Sequence, residues 1–296
     1  MISTILNGYI YSTEHSGKMD NYYFPAPLPR RLYGITYQKK KFTRRDFLRL
    51  GSYSLVPYGL AFMDGFFIER KWLKIQHLVL SKKPTCRIVH FTDVHHKGDI
   101  PYFEKVISRI NSFQPDFVCF TGDLIEEKSY LAEALRCLQK IEYPLFGVPG
   151  NHDYWSNASF DDIKTCFQQT GGDWLLNQEV LSPDGKVALT GSTGLGYKLP
   201  PRTKNKNITK RILLNHYPAS VDEIEDSFDL ILSGHSHGGQ VRLPFYGAIT
   251  VPYGVGEYDR GLFQTPAGPL FVNAGIGYLL LPIRFFCRPE LALIEV

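Results

Sequence analysis

The stretch Arg87-Ile-Val-His-Phe-Thr-Asp-Val-His95 sets a pattern that the rest of the chain repeats. Its first six residues form a short apolar run, which predicts a strand that ends at Asp93. The pattern returns in Asp116-Phe-Val-Cys-Phe-Thr-Gly-Asp123, where a second apolar run ends in Gly-Asp. Apolar residues at helical spacing over 100–113 separate the two runs. The sequence therefore predicts a strand–helix–strand unit with polar residues at the strand ends.

The sequence after residue 123 continues this alternation and then changes. Helical patterns over 130–141 and 160–169 flank a third predicted strand at 144–148. Shorter strand-like runs follow at 187–190, 211–215, 229–233, 240–243 and 269–273. Alternating strands and helices followed by strands predict an α/β fold for the body of the chain, with a mixed β-sheet sandwich flanked by helices.

The first 83 residues differ from the rest in composition. They hold 14 basic, 5 acidic and 15 aromatic residues, whereas the whole chain of 296 residues has a formal net charge of +4. We therefore expect residues 1–83 to form a basic, aromatic N-terminal extension and residues 84–296 to form the main domain. Because anionic lipid surfaces attract basic segments, residues 44–83 are the predicted contact with a membrane surface. Residues 55–80 fit either one or two amphipathic surface helices or a segment that packs on the body.

The extension also contains an arginine pair. The stretch Thr43-Arg-Arg-Asp-Phe-Leu48 resembles a twin-arginine export signal. An uncleaved or unrelated pattern is favoured, because the pair lies more than 40 residues into the chain and Asp64 interrupts the apolar region that follows. The longest apolar stretch, Leu55 to Ile68, is shorter than the roughly 20 residues that a spanning helix needs. We predict no transmembrane helix.

The cysteines and the overall composition limit the class of protein. Hydrophobic residues make up 44% and charged residues 21% of the chain, which excludes extensive disorder. The five cysteines are scattered at positions 86, 119, 137, 166 and 287 and form no CxxC pair. They predict buried free thiols in a reducing compartment. Together with the basic extension, they predict peripheral attachment to the cytoplasmic side of a cell inner membrane.

Residue types that bind metals follow the predicted strands at five places. These places are Asp93-Val-His95, Gly122-Asp123, Gly150-Asn-His-Asp153, Asn215-His216 and Gly234-His-Ser-His237. Each motif alone is common in turns. Loops at the carboxyl ends of strands gather in one crevice of an open α/β sheet, so we expect the five motifs to converge. Carboxylates, imidazoles and one carboxamide together form the ligand set of a two-metal hydrolase.

The order of these motifs resembles that of the calcineurin-like metallophosphoesterases over residues 84–296. The resemblance implies one metal held by Asp93, His95, Asp123 and His237. It implies that Asp123 bridges to a second metal held by Asn151, His216 and His235. It further implies that His152 contacts the phosphoryl oxygen or the leaving group and that Asp153 orients His152. Since His96 follows His95 directly, either imidazole could be the ligand, and the Asp-x-His spacing favours His95.

This ligand set suits the hydrolysis of phosphoric esters and anhydrides. Such substrates carry negative charge that repels a nucleophile, and two divalent cations neutralise that charge and activate water. Glycines at the strand ends allow tight turns and close backbone approach. Mixed nitrogen and oxygen ligands without thiolate suit Mn²⁺, Fe or Zn²⁺, and the resemblance favours Mn²⁺.

Two runs near the carboxyl terminus extend the resemblance to one subgroup of this family. They are Phe271-Val-Asn-Ala-Gly-Ile-Gly277 and Pro282-Ile-Arg-Phe-Phe-Cys-Arg-Pro-Glu290. With the basic extension, they resemble a bacterial subgroup that includes enzymes cleaving UDP-2,3-diacylglucosamine in lipid A biosynthesis. The implied substrate is this lipid-linked nucleotide sugar, and the implied products are UMP and 2,3-diacylglucosamine 1-phosphate.

Three alternatives stay open at this point. A basic, aromatic extension also suits single-stranded nucleic acid, so a nuclease is one of them, although we expect no nucleic acid partner. An exported or cytosolic metallophosphodiesterase with another substrate is the second. A binding module with a degenerate metal site is the third, and the full ligand set argues against it. Nothing in the sequence indicates an obligate protein partner.

Overall fold

The computed structural model describes residues 63–194 and 198–296, together with the backbone of two short strands near the amino terminus. These strands, Thr4–Leu6 (β1) and Tyr9–Tyr11 (β2), pair antiparallel. They belong to a compact unit of residues 1–51, and residues 52–296 form a second unit. The twin-arginine pattern lies outside the described residues, as does most of the predicted extension.

The second unit is built mainly of β-strands. In chain order they are Lys74–Val79 (β3), Arg87–Phe91 (β4), Phe117–Phe120 (β5), Leu145–Gly147 (β6), Asp173–Trp174 (β7), Glu179–Leu181 (β8), Val187–Ser192 (β9), Lys210–Asn215 (β10), Leu230–Ser233 (β11), Arg242–Leu243 (β12), Gly247–Ala248 (β13), Gly261–Thr265 (β14), Gly268–Val272 (β15) and Glu290–Glu295 (β16). Twelve of them form two mixed sheets of six strands, and β12 and β13 form a separate antiparallel pair.

The two sheets share a parallel centre with antiparallel additions. The first has the order β3-β16-β4-β5-β6-β7, in which β4 to β7 run parallel and β16 is antiparallel to β4. The second has the order β14-β15-β11-β10-β9-β8, in which the two edge strands are antiparallel to their neighbours. The inner faces of the sheets share one core, with Ile88 and Phe146 from the first and Leu214 and Leu232 from the second.

The described residues contain four α-helices. They are Ile100–Ser112 (α1), Leu131–Leu138 (α2), Asn151–Trp155 (α3) and Phe160–Gln169 (α4). Helix α1 begins where the Asp99 side chain accepts a hydrogen bond from the Tyr102 N–H at 3.3 Å, with Pro101 in the first turn. Its buried stripe packs against the first sheet through Phe103, Val106, Ile107 and Ile110. The predicted α/β sandwich flanked by helices is thereby confirmed.

The segment before β4 packs on the body, which is one of the two alternatives that the sequence leaves open. Residues 74–79, expected in amphipathic helices or in a segment packed on the body, form strand β3, which pairs in parallel with β16 from Lys74 to Val79. From residue 63 to β3, the described elements are the helical turns Asp64–Ile68 and Glu69–Lys71. Residues 74–79, which precede the predicted boundary at residue 84, therefore supply an edge strand of the first sheet. The reason lies in the carboxyl-terminal strand β16, whose pairing with β3 the local sequence does not reveal.

Two further expectations concern thiols and membrane spans. All five cysteines are free and buried, as predicted. No helix in the described part of the chain combines the length and the apolar character that crossing a membrane requires.

Candidate metal centre

Loops from both sheets meet at the carboxyl ends of their parallel strands. The Asp93 N–H donates to the Gly122 carbonyl at 2.9 Å, which joins the loops after β4 and β5. The His235 N–H donates to the Asp93 carboxylate at 3.0 Å, which joins the loop after β11 of the second sheet to the first. Seven predicted ligands lie buried at this junction: Asp93, His95, Asp123, Asn151, His216, His235 and His237.

The first group of side chains consists of Asp93, His95 and His237. Their ligand atoms all lie within 4.8 Å of one another. The His95 Nε2 and His237 Nε2 atoms are 3.1 Å apart, and His237 Nε2 is 3.4 Å from Asp93 Oδ1. The three side chains thus direct their donor atoms at one point.

The second group consists of Asn151, His216 and His235. The His216 Nε2 atom lies 3.1 Å from Asn151 Oδ1 and 3.1 Å from His235 Nδ1. His235 therefore faces this point with Nδ1, whereas His216 faces it with Nε2. The two histidines present different ring nitrogens because their other nitrogens are already fixed by main-chain carbonyls.

Asp123 lies between the two groups. Its Oδ2 atom is 3.4 Å from His95 Nε2 and 3.4 Å from His216 Nε2. Its Oδ1 atom accepts a hydrogen bond from the His152 N–H at 2.7 Å. One carboxylate oxygen thus faces both groups while the other is fixed by the backbone. This is the arrangement that a bridging ligand requires.

The donor atoms fit two divalent cations. Two ligands of one ion at about 2.0–2.2 Å lie roughly 3.0–3.4 Å from each other in tetrahedral or octahedral geometry. The imidazole pairs His95–His237 and His216–His235, each with nitrogens 3.1 Å apart, match that separation. All the donors are nitrogen or oxygen atoms, which suits Mn²⁺, Fe or Zn²⁺, and the geometry does not select among these metals.

Three supporting contacts orient the imidazoles. The Glu126 Oε2 atom lies 2.8 Å from His95 Nδ1. The Thr121 carbonyl lies 2.6 Å from His216 Nδ1, and the Tyr253 carbonyl lies 2.7 Å from His235 Nε2. Contacts of this kind fix the tautomer and the ring orientation of a metal ligand. Within the described residues, His237 Nδ1 has no such partner.

Glu126 is the functional residue that the sequence motifs do not include. It follows Asp123 by three positions, in the same loop after β5, and its carboxylate also lies 3.3 Å from His152 Nδ1. Its neighbour Glu127 has the same side chain and is exposed. Nothing in the sequence pattern separates the two, so only the loop conformation identifies Glu126.

His152 stands at the edge of the centre. Its side chain is 12% exposed, whereas those of His95 and His216 are fully buried. Its ring packs 4.6 Å from the ring of His95, measured between centroids. A His152 ring nitrogen also lies within 4.8 Å of donor atoms of His95 and Asp123. The position is therefore compatible with either a proton donor at the opening or an additional ligand.

Asp153 contacts main-chain N–H groups. Its fully buried carboxylate accepts hydrogen bonds from the N–H groups of Asp123, Leu124 and Gly150, each at 2.9 Å. It caps the short helix α3 and ties the loop after β6 to the loop after β5. The His152 ring meets Glu126, because the helix turns the two side chains in different directions. The orienting role toward His152 that the family resemblance implies for Asp153 stays a prediction.

The structure distinguishes His95 from His96. The His96 Nε2 atom lies 2.5 Å from Glu133 Oε1, on the side of the loop that faces α2. The ring of His96 packs near Phe103, with centroids 5.6 Å apart. His95 thus points into the centre, and His96 points into the helix layer.

The backbone of the centre is strained. Asp93, His95, Asp123, His235 and His237 all have φ between 42° and 65°, a region that residues other than glycine rarely adopt. Such conformations persist only where surrounding contacts hold them, and they concentrate at functional sites. Gly150 contributes through close approach, because a methyl group there would overlap the Asp123 carboxylate.

Burial and the acidic ligands set the charge of the centre. Burial works against the charged forms, but the Asp123 carboxylate raises the pKa of His216 to about 9. Burial also opposes ionisation of Asp123, yet His216 and His95 hold the pKa of this carboxyl well below its usual range. Burial, with the nearby His216, lowers the pKa of His235 to about 4. A neutral His235 and an ionised Asp123 are the forms that bind a cation.

Known proteins resemble this chain over most of its length. The family profile of calcineurin-like phosphoesterases matches residues 86–239. The uncharacterised metallophosphoesterase YkuE of Bacillus subtilis is 31% identical over 284 residues, which cover 85% of this chain and 96% of that protein. The phosphodiesterase YaeI of Escherichia coli is 27% identical over 272 residues, which cover 86% of this chain and 99% of that protein. An uncharacterised metallophosphoesterase of Helicobacter pylori is 28% identical over 89% of this chain and 76% of its own length.

The extent of these matches settles the family. The profile spans more than half of the chain and includes the loops after β4, β5, β6, β10 and β11. The relatives extend the similarity to most of the chain on both sides of that region. The chain belongs to the calcineurin-like phosphoesterase family and is a metal-dependent phosphoesterase.

Proposed function

We propose that this enzyme hydrolyses the diphosphate of UDP-2,3-diacylglucosamine, releasing UMP and 2,3-diacylglucosamine 1-phosphate, a step of lipid A biosynthesis. The observation that carries the hydrolytic part is the position of the Asp123 carboxylate, 3.4 Å from an imidazole of each ligand group. The lipid part is supported by the resemblance of the carboxyl-terminal runs to a subgroup with that substrate. The name of YaeI, a phosphodiesterase, supports a substrate with two groups on its phosphorus atom.

The proposed ligand assignment follows the two groups. Asp93, His95 and His237 would hold one cation with one oxygen of Asp123. Asn151, His216 and His235 would hold the other with the same carboxylate. When bound, two divalent cations neutralise phosphoryl charge and make water more acidic. Our preference for Mn²⁺ rests on the family resemblance.

The proposed role of His152 follows from its place at the opening. The Nδ1 atom of its ring lies 3.3 Å from Glu126, so the carboxylate can hold the proton on Nδ1 and orient the ring. Its other nitrogen is then left for the phosphoryl group, where it can stabilise charge or give a proton to the leaving oxygen. Trp155, 73% exposed, packs with its ring centroid 4.9 Å from that of His152 and would border the substrate.

We also propose that the enzyme attaches to the cytoplasmic side of the inner membrane as a peripheral protein. The support is the basic, aromatic amino-terminal sequence. Cell fractionation tests the location. Release by high salt, with protection from protease added outside intact cells, is the expected result. A periplasmic protein cleaved near residue 65 would contradict it.

The substrate assay is the decisive experiment. The purified protein is stripped of metal, reloaded with Mn²⁺ and given UDP-2,3-diacylglucosamine in detergent micelles, a soluble diester, or single-stranded DNA. We expect UMP and the lipid 1-phosphate from the first substrate. We expect Asp123→Ala to lose both metal ions and the activity on every substrate, since one carboxylate serves both groups. Intact lipid beside a cleaved diester would reject the lipid substrate, and cleaved DNA would indicate a nuclease.

A second experiment separates the two roles that the position of His152 allows. We expect His152→Ala to lower kcat by about 10²- to 10⁴-fold, the usual range for loss of a general acid. The metal content should stay at two ions per chain, measured by atomic emission. Loss of one metal equivalent in this variant would make His152 a ligand and would overturn the proposed role.

A further inference from the structure

Three segments next to the metal centre expose large apolar side chains. They are the helical turn Asp64–Ile68, the β12–β13 hairpin and the loop of residues 279–286. The most exposed members are Phe67 (63%), Phe245 (110%), Tyr246 (74%), Leu280 (83%), Leu281 (62%) and Phe286 (57%). We call this set the apolar rim. Single exposed apolar residues are ordinary, but a set of this size on adjoining segments marks an interaction surface.

Hydrogen bonds join the three segments into one surface. The Gln240 side chain donates to the carbonyls of Leu279 and Leu281 at 3.1 and 3.0 Å. The Arg242 N–H donates to the Phe285 carbonyl at 2.9 Å, which ties the hairpin to the same loop. The Arg284 N–H donates to the Gly65 carbonyl at 3.1 Å, which ties in the helical turn. The rim is therefore supported by one hydrogen-bonded scaffold.

The same scaffold leads directly to the metal ligands. The His235 ring is held by the Tyr253 carbonyl, and Tyr253, just after the hairpin, is 90% exposed. The Cys287 thiol donates to the His237 carbonyl at 3.3 Å. The fully buried Arg284 donates to the carbonyls of Gly275 and Gly277, which fixes the loop from within. The rim segments thus lie directly beside the loop that carries His235 and His237.

Three of the rim side chains stand on backbone in an unfavourable conformation. Phe245, Leu280 and Phe286 have φ of 67°, 55° and 49°, in the left-handed region that bulky residues avoid. An exposed aromatic or leucine side chain on such a backbone carries two free-energy costs in water. One comes from the exposed apolar surface and the other from the backbone conformation. Strain of this kind persists where function requires it. The arrangement is suited to insertion of these side chains into an apolar phase.

The charge of the surrounding sequence indicates which kind of apolar phase the rim enters. Residues 234–256 and 260–289 contain no Asp or Glu and four arginines. Arg284 is buried and Arg242 pairs with Asp259, which leaves Arg260 and Arg288 beside the hairpin and the loop. The helical turn contains Asp64 and is followed by Arg70 and Lys71, so the balance of charge is basic, and anionic bilayer surfaces attract such a surface. Amphipathic aromatic residues such as Tyr246 favour the boundary between head groups and acyl chains.

We propose that the apolar rim inserts into an anionic lipid bilayer and places the metal centre at the level of the head groups. The inference deepens the proposed function and rests on its lipid substrate, because a diphosphate at the membrane surface must reach the centre without leaving the bilayer. It assigns membrane contact to residues of the folded domain, in addition to the amino-terminal sequence.

The test uses the full-length protein and vesicles of phosphatidylethanolamine and phosphatidylglycerol. Because all five native cysteines are buried, a fluorescent label can be attached selectively to F245C or L280C. We expect a blue shift on addition of vesicles and quenching by nitroxide groups within the acyl chains. V79C is the matched control. Val79 is 58% exposed but lies at the opposite end of the first sheet, beside the start of β4, and its label should not respond.

A second measurement uses substitutions. We expect the double variants Phe245→Ser/Tyr246→Ser and Leu280→Ser/Leu281→Ser each to lower vesicle partitioning by about tenfold or more, since each removes two inserted apolar side chains. Hydrolysis of a soluble diester should be unchanged, which shows that the fold and the centre are intact. Val79→Ser should bind vesicles like the unaltered protein.

The outcomes separate this inference from the proposed function. The proposed insertion of the apolar rim is rejected if labels at residues 245 and 280 stay in water. It is also rejected if the rim variants partition to vesicles like the unaltered protein. Neither result changes the outcome of the substrate assay. A dimer that dissociates in the rim variants would show that the rim joins two copies of the chain, and it would also overturn the inference. Vesicle binding through the rim without cleavage of UDP-2,3-diacylglucosamine would reject the substrate and leave the rim.

Discussion

The two halves of the metal centre are held in different ways. In the first group, a side chain supports a ligand, because the Glu126 carboxylate contacts His95 Nδ1. In the second group, main-chain carbonyls of Thr121 and Tyr253 hold His216 and His235. A carbonyl is positioned by the fold and survives substitution of its own side chain, whereas a carboxylate disappears with one mutation. The first group should therefore be the half that single substitutions can tune.

The largest effect is expected from loss of the Asp153 carboxylate, because both halves of the metal centre depend on it. The Asp153 carboxylate binds three N–H groups in the loops that carry Asp123 and Asn151. In Asp153→Ala these buried groups lose their partner, and each unsatisfied donor costs about 1–3 kcal/mol. We expect the free energy of unfolding to fall by about 3 kcal/mol or more, measured in urea, together with loss of activity.

The matched control is Asp161→Ala. Asp161 is an exposed carboxylate in the first turn of α4, and its loss should change the free energy of unfolding by less than about 0.5 kcal/mol. If Asp153→Ala unfolded like the control, the loops would not depend on this carboxylate. The strained backbone at Asp123 would then need another explanation.

The next prediction tests whether the Glu126 carboxylate supports only the half of the centre that contains His95. Glu126→Gln keeps the size of the side chain but removes the charge that favours His95 as a ligand. We expect the affinity of one of the two metal sites to fall by about 10- to 100-fold, the usual effect of losing such a support, while the other site is unchanged. Metal titration followed by calorimetry measures both affinities. Excess metal should restore the metal content, whereas kcat should stay lowered because the same carboxylate orients His152.

The control for this variant is next to it in the chain. Glu127→Gln changes the same kind of carboxylate at an exposed position and should leave both affinities unchanged. An equal loss in both metal sites of Glu126→Gln would contradict the comparison. It would mean that the carboxylate acts on the whole centre and not on the half that contains His95.

The sequence predicts the candidate ligands of both groups but not the residues that support them. The ligand residues stand in short motifs after apolar strands, so the sequence alone identifies both groups as candidates. It does not identify their supports, because Thr121 and Tyr253 act through main-chain carbonyls that any residue supplies. Glu126 does not stand out in the sequence, since its neighbour Glu127 is identical in type. The contacts of Asp153 are not predictable either, because hydrogen bonds to N–H groups leave no trace in side-chain spacing.

The fold is predictable where elements are local and periodic. The buried stripe of α1 and the apolar runs of β4 and β5 are visible in the sequence. Strand β3 is not, because its pairing with β16 joins residues more than 200 positions apart. A half-buried segment of mixed polarity, such as 74–79, fits a surface helix equally well until its partner strand is known.

The smallest expected effect concerns the pair His95 and His96. His96 is the immediate neighbour of a ligand, yet its ring contacts Glu133 and packs near Phe103. We expect His96→Ala to retain two metal ions and a kcat within about threefold of the unaltered enzyme. Loss of the buried contact should lower the free energy of unfolding by about 1–2 kcal/mol. His95→Ala should behave in the opposite way, with loss of metal from the first group and of activity. Loss of a metal equivalent in His96→Ala would mean that the loop after β4 can turn either imidazole toward the centre, and the first group would then be the less firmly defined half.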